Sequence, residues 1–551
     1  MTVDGSVGRL NQGQVNALSM AGEIRGRDSK HKGILIIGPA GTGKSTIVRE
    51  LLRRWRYVYG EGGVTLSSPT HRANWVLKSM SEYKVRRFGA DALQREDPIT
   101  LEALMGARQD DLTGRFKYPT VESAIKLAKM PPIASIGRGC VVIVDEASMM
   151  DYEELKRIRQ WQEYLGFGTI FIGDVEQLPP VGMEKSPVFS SGIQEVRLTE
   201  VMRQRGGNPL LDLATDIRLG NNPDLVSDLN EKTGEGVVLV QNRAAVLQSI
   251  ASLSSPEIVK ANMNQLRVLA GRNKVVREWN DQIHGMLFPG STSPVCEGEV
   301  VIGYRTTETL RNGVEYLVSE VSELKPFMHD SGFMARAWRV SLLSDAETGP
   351  EVCVHIVCKE HESRYAEHFR TMLERKQKAW QAWHDSGRNN AKITAAIMAT
   401  KKLDAFVEEV GLMSDISSDW DVGNLEESAR SPLRRMFDLG YASTVHKAQG
   451  GTVNVVVVDM DDISSFPGDP TFKRKLVYTA LSRASKAAIV MRASFKTSED
   501  KLEQLVKIGT SHPFYSMTQP TYAVENAFHY GKGVVPPPGQ GMLPLPPRKY
   551  R

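Results

Sequence analysis

With 551 residues the chain exceeds what one hydrophobic core supports, so three or four structural units are expected. Its composition, 41% hydrophobic and 24% charged, is that of a soluble globular protein, and no apolar run reaches the roughly 18 to 20 residues of a bilayer-spanning helix, which excludes that role. A net charge of +4 permits a local basic groove without identifying a nucleic-acid partner, and Cys140, Cys296, Cys353 and Cys358 lack the spacing of a disulfide framework or a zinc site.

The first thirty residues carry Asp4, Glu23 and Asp28 and no apolar stretch before a small-residue cleavage site, so a cytosolic location is expected. Leu10 to Leu18 reads as a capped amphipathic helix. Within it, Gln14 carries an amide that can both donate to and accept from an adenine edge, although a solvent-facing glutamine fits the stretch equally well. The apolar run Ile34 to Ile37 reads as a strand buried on both faces of a parallel sheet. It leads into GPAGTGKST, Gly38 to Thr46, which satisfies the phosphate-loop spacing in full. Gly38, Gly41 and Gly43 let the backbone curl with its amides inward, and Thr42 completes the turn. Lys44 supplies a charge for the outer phosphates of ATP, Ser45 a hydroxyl ligand for Mg²⁺, and the helix starting near Thr46 its N-terminal dipole.

Val64 to Leu66 reads as the next strand and Ala73 to Met80 as the next helix. In the turn between them, Thr70 and His71 are placed to donate to a phosphodiester, with helix capping by Thr70 as the alternative. From Thr100 to Gly137 the pattern weakens, and a small insertion is expected there. Val141 to Val144 forms a buried strand ending in two carboxylates with separable tasks: Asp145 holds the metal through its water shell and Glu146 orients or deprotonates water. A further strand, Thr169 to Ile172, ends in Gly173 and Asp174, with Gln177 shortly after; Arg203 follows in LTEVMRQ.

Taken in order, GPAGTGKST, SSPTHRA, VDEASM, GDVEQLPPV, LTEVMRQ, RVLAGRNKVVREWN, STVHKAQGGTV and VYTALSRAS resemble the motifs of superfamily 1 helicases. The resemblance extends over roughly Gln14 to Val490 and is strongest to the RecD-like branch with its Dda-like phage members. It implies an α/β fold of two RecA-like P-loop domains with ATP between them and single-stranded DNA across them. Gln14 then corresponds to the adenine-reading glutamine, Gln177 to the residue sensing the γ-phosphate, and Arg203 and Arg483 to arginine fingers. Thr70, His71, Thr100, Thr444, His446 and Lys447 match positions that contact the strand. Met202 departs from relatives that stack an aromatic residue on adenine.

On this reading the first RecA-like domain comprises 1–99 and 138–197, with a pin insertion at 100–137. Phe116 in TGRFKYP is expected near the tip of a hairpin, as a wedge at the duplex fork or as a core plug. The second domain comprises 198–288 and 437–500, with Val453 to Val458 as a buried strand. Between its halves, 289–436 holds strands around Asn312 and Gly313, which the resemblance makes an SH3-like barrel, and two helices, Glu362 to Trp383 and Ile393 to Val410, which form a hairpin. Residues 501–551 form a C-terminal extension whose Pro-rich tail is a plain extension or docks a protein partner. The function implied is an ATP-dependent DNA helicase moving 5′ to 3′ and acting at duplex forks, in host bacterial cytoplasm if phage-encoded. An RNA or RNA–DNA hybrid helicase and a nucleotide-switched assembly protein remain as alternatives.

Overall fold

The computed structural model describes residues 10–24, 32–59, 63–80, 83–87, 90–94, 98–109, 116–125, 130–136, 140–200, 208–221, 223, 225–307, 309–344, 351–387, 389–413, 415 and 435–511. Arg203, Met202 and the Pro-rich tail lie outside them, as does the Phe116 side chain.

Six strands build a wholly parallel sheet in the order Gln194–Arg197, Gly33–Ile37, Gly168–Gly173, Val141–Val144, Val64–Ser68, Ile99–Thr100. Its central strands are buried along their whole length because helices cover both faces, which is why they read as continuous apolar runs. A second sheet runs Asp228–Leu229, Gly236–Val240, Ala484–Met491, Val453–Asp459, Leu266–Ala270, Ala442–Thr444 and is parallel except at its first edge. Between its last two strands in sequence pairing, Leu266–Ala270 and Ala442–Thr444, the chain inserts a third sheet.

That third sheet has seven strands and is antiparallel apart from the short pairing of Val410–Gly411 with Val352–Val357. The expected turn at Gly313 is present, with φ +78°. Helices Glu362–Asp385 and Asn390–Glu409 pack on each other, although Ile397, on the face expected to pack, is 40% exposed. Trp380 donates its indole N–H to Thr400 Oγ1 across the pair, so it takes part in helix packing.

The cores redraw several expected borders. Thr100 extends the first sheet, and Leu101, Leu104, Met105, Ile133 and Ile136 share a core with Val142, Val144 and Phe171, so the ends of 100–137 belong to the first domain. Arg108–Gln109 and Phe116–Lys117 do pair antiparallel, but Phe116 lies within the paired strand, opposite Gln109. Leu198 packs with Ile36 and Val196 in the first core, not the second domain. The helix Glu499–Ser511 buries Leu502 and Leu505 against the second sheet, so 501–511 is no free extension. One continuous core also joins Val268 and Val455 of the second sheet to Val301, Tyr316 and Val340 of the third.

Candidate nucleotide-hydrolysis site

The phosphate loop leaves strand Gly33–Ile37 and closes into helix Lys44–Tyr59. Gly41 and Gly43 both adopt φ +83°, where a side chain is strained, and a Cβ on Gly43 would stand 2.2 Å from Gln14 Nε2. Gly38 fits closely too, its absent Cβ lying 2.6 Å from Thr42 Oγ1. Thr42 itself donates its hydroxyl to Pro39 O. Lys44 Nζ folds back to donate to Gly38 O at 2.7 Å and Pro39 O at 3.1 Å, neutral acceptors that it can exchange for phosphate oxygens. Ser45 and Thr46 sit half-buried in the first helical turn. Gln14 is 2% exposed and already engaged at both ends: Oε1 accepts from Asn11 N, closing a capping box, and Nε2 donates to Thr42 O.

Beside the loop, strand Val141–Val144 delivers its two carboxylates. Burial, then the neighbouring Glu146 charge, holds the Asp145 carboxyl above its ordinary range, while Lys44 and Arg483 oppose this. A cation beside such a buried carboxylate would favour its charged form. Glu146 stands at φ 52°, the one non-glycine residue with positive φ among the described residues. Its left-handed backbone costs roughly 1–2 kcal/mol and turns the side chain away from the line of the strand. The carboxylate meets Arg483 from the second domain, Glu146 Oε1 lying 3.8 Å from Arg483 Nη1. Arg483 is 7% exposed and is held by Thr479 O and Gly451 O.

Gln177 is buried, and its Oε1 has no hydrogen-bond partner among the described residues. A buried, unsatisfied amide oxygen is suited to a ligand or water that completes it. Neighbouring Leu178 locks the domains together, its N–H donating to Thr479 Oγ1 and its carbonyl accepting from Gln449 Nε2. Helix Pro470–Leu481 provides most of this seam. Arg474 pairs with Glu176, Lys475 donates to Val175 O, and Tyr478 Oη donates to Asp174 Oδ2 at 2.6 Å while accepting from Ala40 N at 3.2 Å. Tyr478, Thr479 and Gln449 lie inside the motif runs, but the sequence reading did not single them out. Their partners are 271 to 438 residues away, and spacing carries no trace of such contacts.

The other predicted residues gather where the two domains meet. Thr70 Oγ1 accepts from Ala73 N as a helix cap, His71 opens the helix, and Thr100 Oγ1 caps the next one through Ala103 N. Burial, with Arg311 second, keeps the His71 imidazole below its usual pKa, and burial does the same for His446. Thr444, His446 and Lys447 lie in one turn, Thr444 Oγ1 accepting from Lys447 N and the Lys447 ammonium resting on the Tyr304 ring. The following glycines bring this turn onto the first domain: a Cβ on Gly450 would lie 2.8 Å from Ala73 Cβ, and one on Gly451 1.8 Å from Arg72 Nε.

A phosphate loop, an adjacent acid pair and an arginine of the second α/β domain 3.8 Å from Glu146 make a candidate P-loop nucleotide site between the two domains. The AAA domain model matches residues 9–237 and the UvrD-like helicase C-terminal domain model residues 439–491. In these matches the chain is similar to superfamily 1 helicases of the Pif1/RecD-like group. It is 21% identical to the uncharacterised protein R530 of Acanthamoeba polyphaga mimivirus, over 83% of this chain and 94% of that protein. It is also 25% identical to the ATP-dependent DNA helicase PIF1 of Saccharomyces cerevisiae, over 43% of this chain but only 27% of the yeast protein. The crystal structure of the Candida albicans Pif1 helicase aligns with a TM-score of 0.46 at 17% identity, over 92% of this chain and all of that one.

Proposed function

We propose that this protein is an ATP-dependent DNA helicase that moves 5′ to 3′ along a single strand and opens duplexes at forks. The approach of Arg483 to Glu146 across the domain seam carries this reading, because a finger and a base held together over a phosphate loop serve turnover, not mere binding. Lys44 takes the outer phosphates, the loop amides from Gly41 to Thr46 cradle them, and Gln14 faces adenine after releasing Thr42. Ser45 and Asp145 hold Mg²⁺, which supplies charge neutralisation on the phosphate oxygens. Glu146 orients and deprotonates water, Gln177 senses its position through the unsatisfied Oε1, and Arg203 adds a second finger.

The strand runs over Thr70, His71, Thr100, Thr444, His446 and Lys447, whose two groups meet through Gly450 and Gly451. Closure and opening of the domains around ATP then shift these two grips relative to one another. The hairpin carrying Phe116 acts as the pin, the third sheet as the SH3-like barrel, and the Pro-rich tail as a docking segment for a protein partner. The Dda-like resemblance supports the direction of travel and, if the chain is phage-encoded, a host bacterial cytoplasm. Duplexes bearing either a 5′ or a 3′ single-stranded overhang test the proposal: unwinding of the 5′-tailed substrate with ATP and Mg²⁺ is expected. Preference for the 3′ tail overturns the direction. Stronger ATPase stimulation by RNA than by matched DNA overturns the substrate.

A further inference from the structure

Asp174 is a carboxylate buried close to the lysine that must reach the phosphates, and this creates a hazard. It is 3% exposed, and burial raises its pKa, an effect that the Lys44 charge and then the Tyr478 hydroxyl oppose. Gly38 N donates to Gly173 O, which sets Asp174 beside the loop carbonyls that hold Lys44. Opposite charges sharing such a buried place attract one another strongly enough to compete with a ligand. The structure keeps them from pairing. Asp174 Oδ1 accepts from Glu176 N at 3.1 Å and Oδ2 from Tyr478 Oη at 2.6 Å, while Lys44 Nζ rests on two neutral carbonyls. The same tyrosine oxygen accepts from Ala40 N in the phosphate loop, so one atom of the second domain ties down two parts of the first. The Tyr478 side chain lines the small cleft between the loop and helix Pro209–Leu219 with Pro39, Ala40 and Arg218, and the residue is 2% exposed.

We propose that Tyr478 is a positioning residue that occupies Asp174 and so leaves the Lys44 ammonium free for the nucleotide. The hydroxyl does this only while the domains are together, because it arrives on helix Pro470–Leu481. Separation removes the donor from Asp174 Oδ2 and the acceptor from Ala40 N at once. Asp174 then draws Lys44 off the loop, and affinity for the triphosphate falls as the seam opens. Tyr478 thereby links the grip on nucleotide to domain closure. The inference rests on the ATP-site reading above.

Tyr478→Phe keeps the ring and removes only the hydroxyl. Equilibrium titration with a fluorescent, non-hydrolysable ATP analogue should show its affinity lowered about tenfold, the scale of one lost hydrogen bond to a charged group. Adding Asp174→Asn removes the competing charge, so the double variant should recover to within about threefold of wild type, a coupling that independent damage would not produce. An unchanged affinity in Tyr478→Phe refutes the role. A lowered affinity that Asp174→Asn fails to restore also refutes it, since a merely loosened helix behaves that way. A wild-type chain that does not bind the analogue overturns the ATP-site reading and this inference with it, whereas a binding wild type matched by Tyr478→Phe overturns this inference alone.

Discussion

Replacing Glu315 with glutamine should destabilise the protein far from the phosphate loop yet at a junction of all three sheets. Glu315 Oε1 receives Arg267 Nη2 at 2.7 Å and Arg72 Nη2 at 2.9 Å. The three groups come from the second domain, the first domain and the third sheet. Their side chains are 1%, 9% and 10% exposed, so none can turn to solvent. Arg267 depends most on this acid, since its Nε and Nη1 have no partner among the described residues. Burial lowers its pKa, the Glu315 charge opposes that, and the Arg72 charge adds to the lowering. The amide of Glu315→Gln fills the same space but leaves two buried guanidinium groups facing each other. Breaking a buried pair in this way costs about 3–5 kcal/mol. At roughly 2–4 °C per kcal/mol for a unit of this size, the transition covering the second and third sheets should fall by about 6–20 °C. Thermal unfolding followed by tryptophan fluorescence at one fixed scan rate measures it. Arg267→Met added to Glu315→Gln removes the orphaned charge and should recover at least half of the loss. A shift below about 2 °C in Glu315→Gln would mean that the guanidinium groups find other partners, and the reasoning would fail.

Three further outcomes are expected. Glu146→Gln should retain nucleotide and strand binding while strand-stimulated turnover falls at least about a hundredfold, because the amide keeps its shape and cannot accept the proton; lost nucleotide affinity in a binding titration would contradict this. Arg483→Ala should lower kcat about a thousandfold, with a much smaller change in nucleotide affinity, as befits a group that acts on transition-state charge; equal losses in both would make it a binding residue. His284 donates through Nδ1 to Glu299 Oε1, and that hydrogen bond raises its pKa above the usual value against the effect of burial. A raised histidine pKa stabilises the fold fully below the unfolded value, about 6.5, and the contribution disappears as pH rises through the folded value. His284→Gln should therefore lower the melting temperature more at about pH 6 than at about pH 8.5, and an equal deficit at both would rule out the charged pair.

The phosphate loop, the acid pair after Val144 and the parallel character of both main sheets were legible in the sequence because each is a local pattern. Four apolar residues in a row, glycines at fixed offsets and a carboxylate at a strand end keep their meaning wherever the chain goes. Borders were less legible. Leu198, Leu101 and Leu502 are apolar residues near element ends, and only packing decides whose core they join. Within the site, local chemistry pointed to Lys44 and Glu146, and the motif resemblance to Arg483, as expected charged partners of a nucleotide, but neither could place Tyr478 against Ala40, 438 residues upstream. Nor could it bring Arg72, Arg267 and Glu315 onto one oxygen. Such contacts depend on how two sheets and an inserted third face one another. That arrangement is set by the sum of many weak apolar contacts rather than by any residue in the motifs.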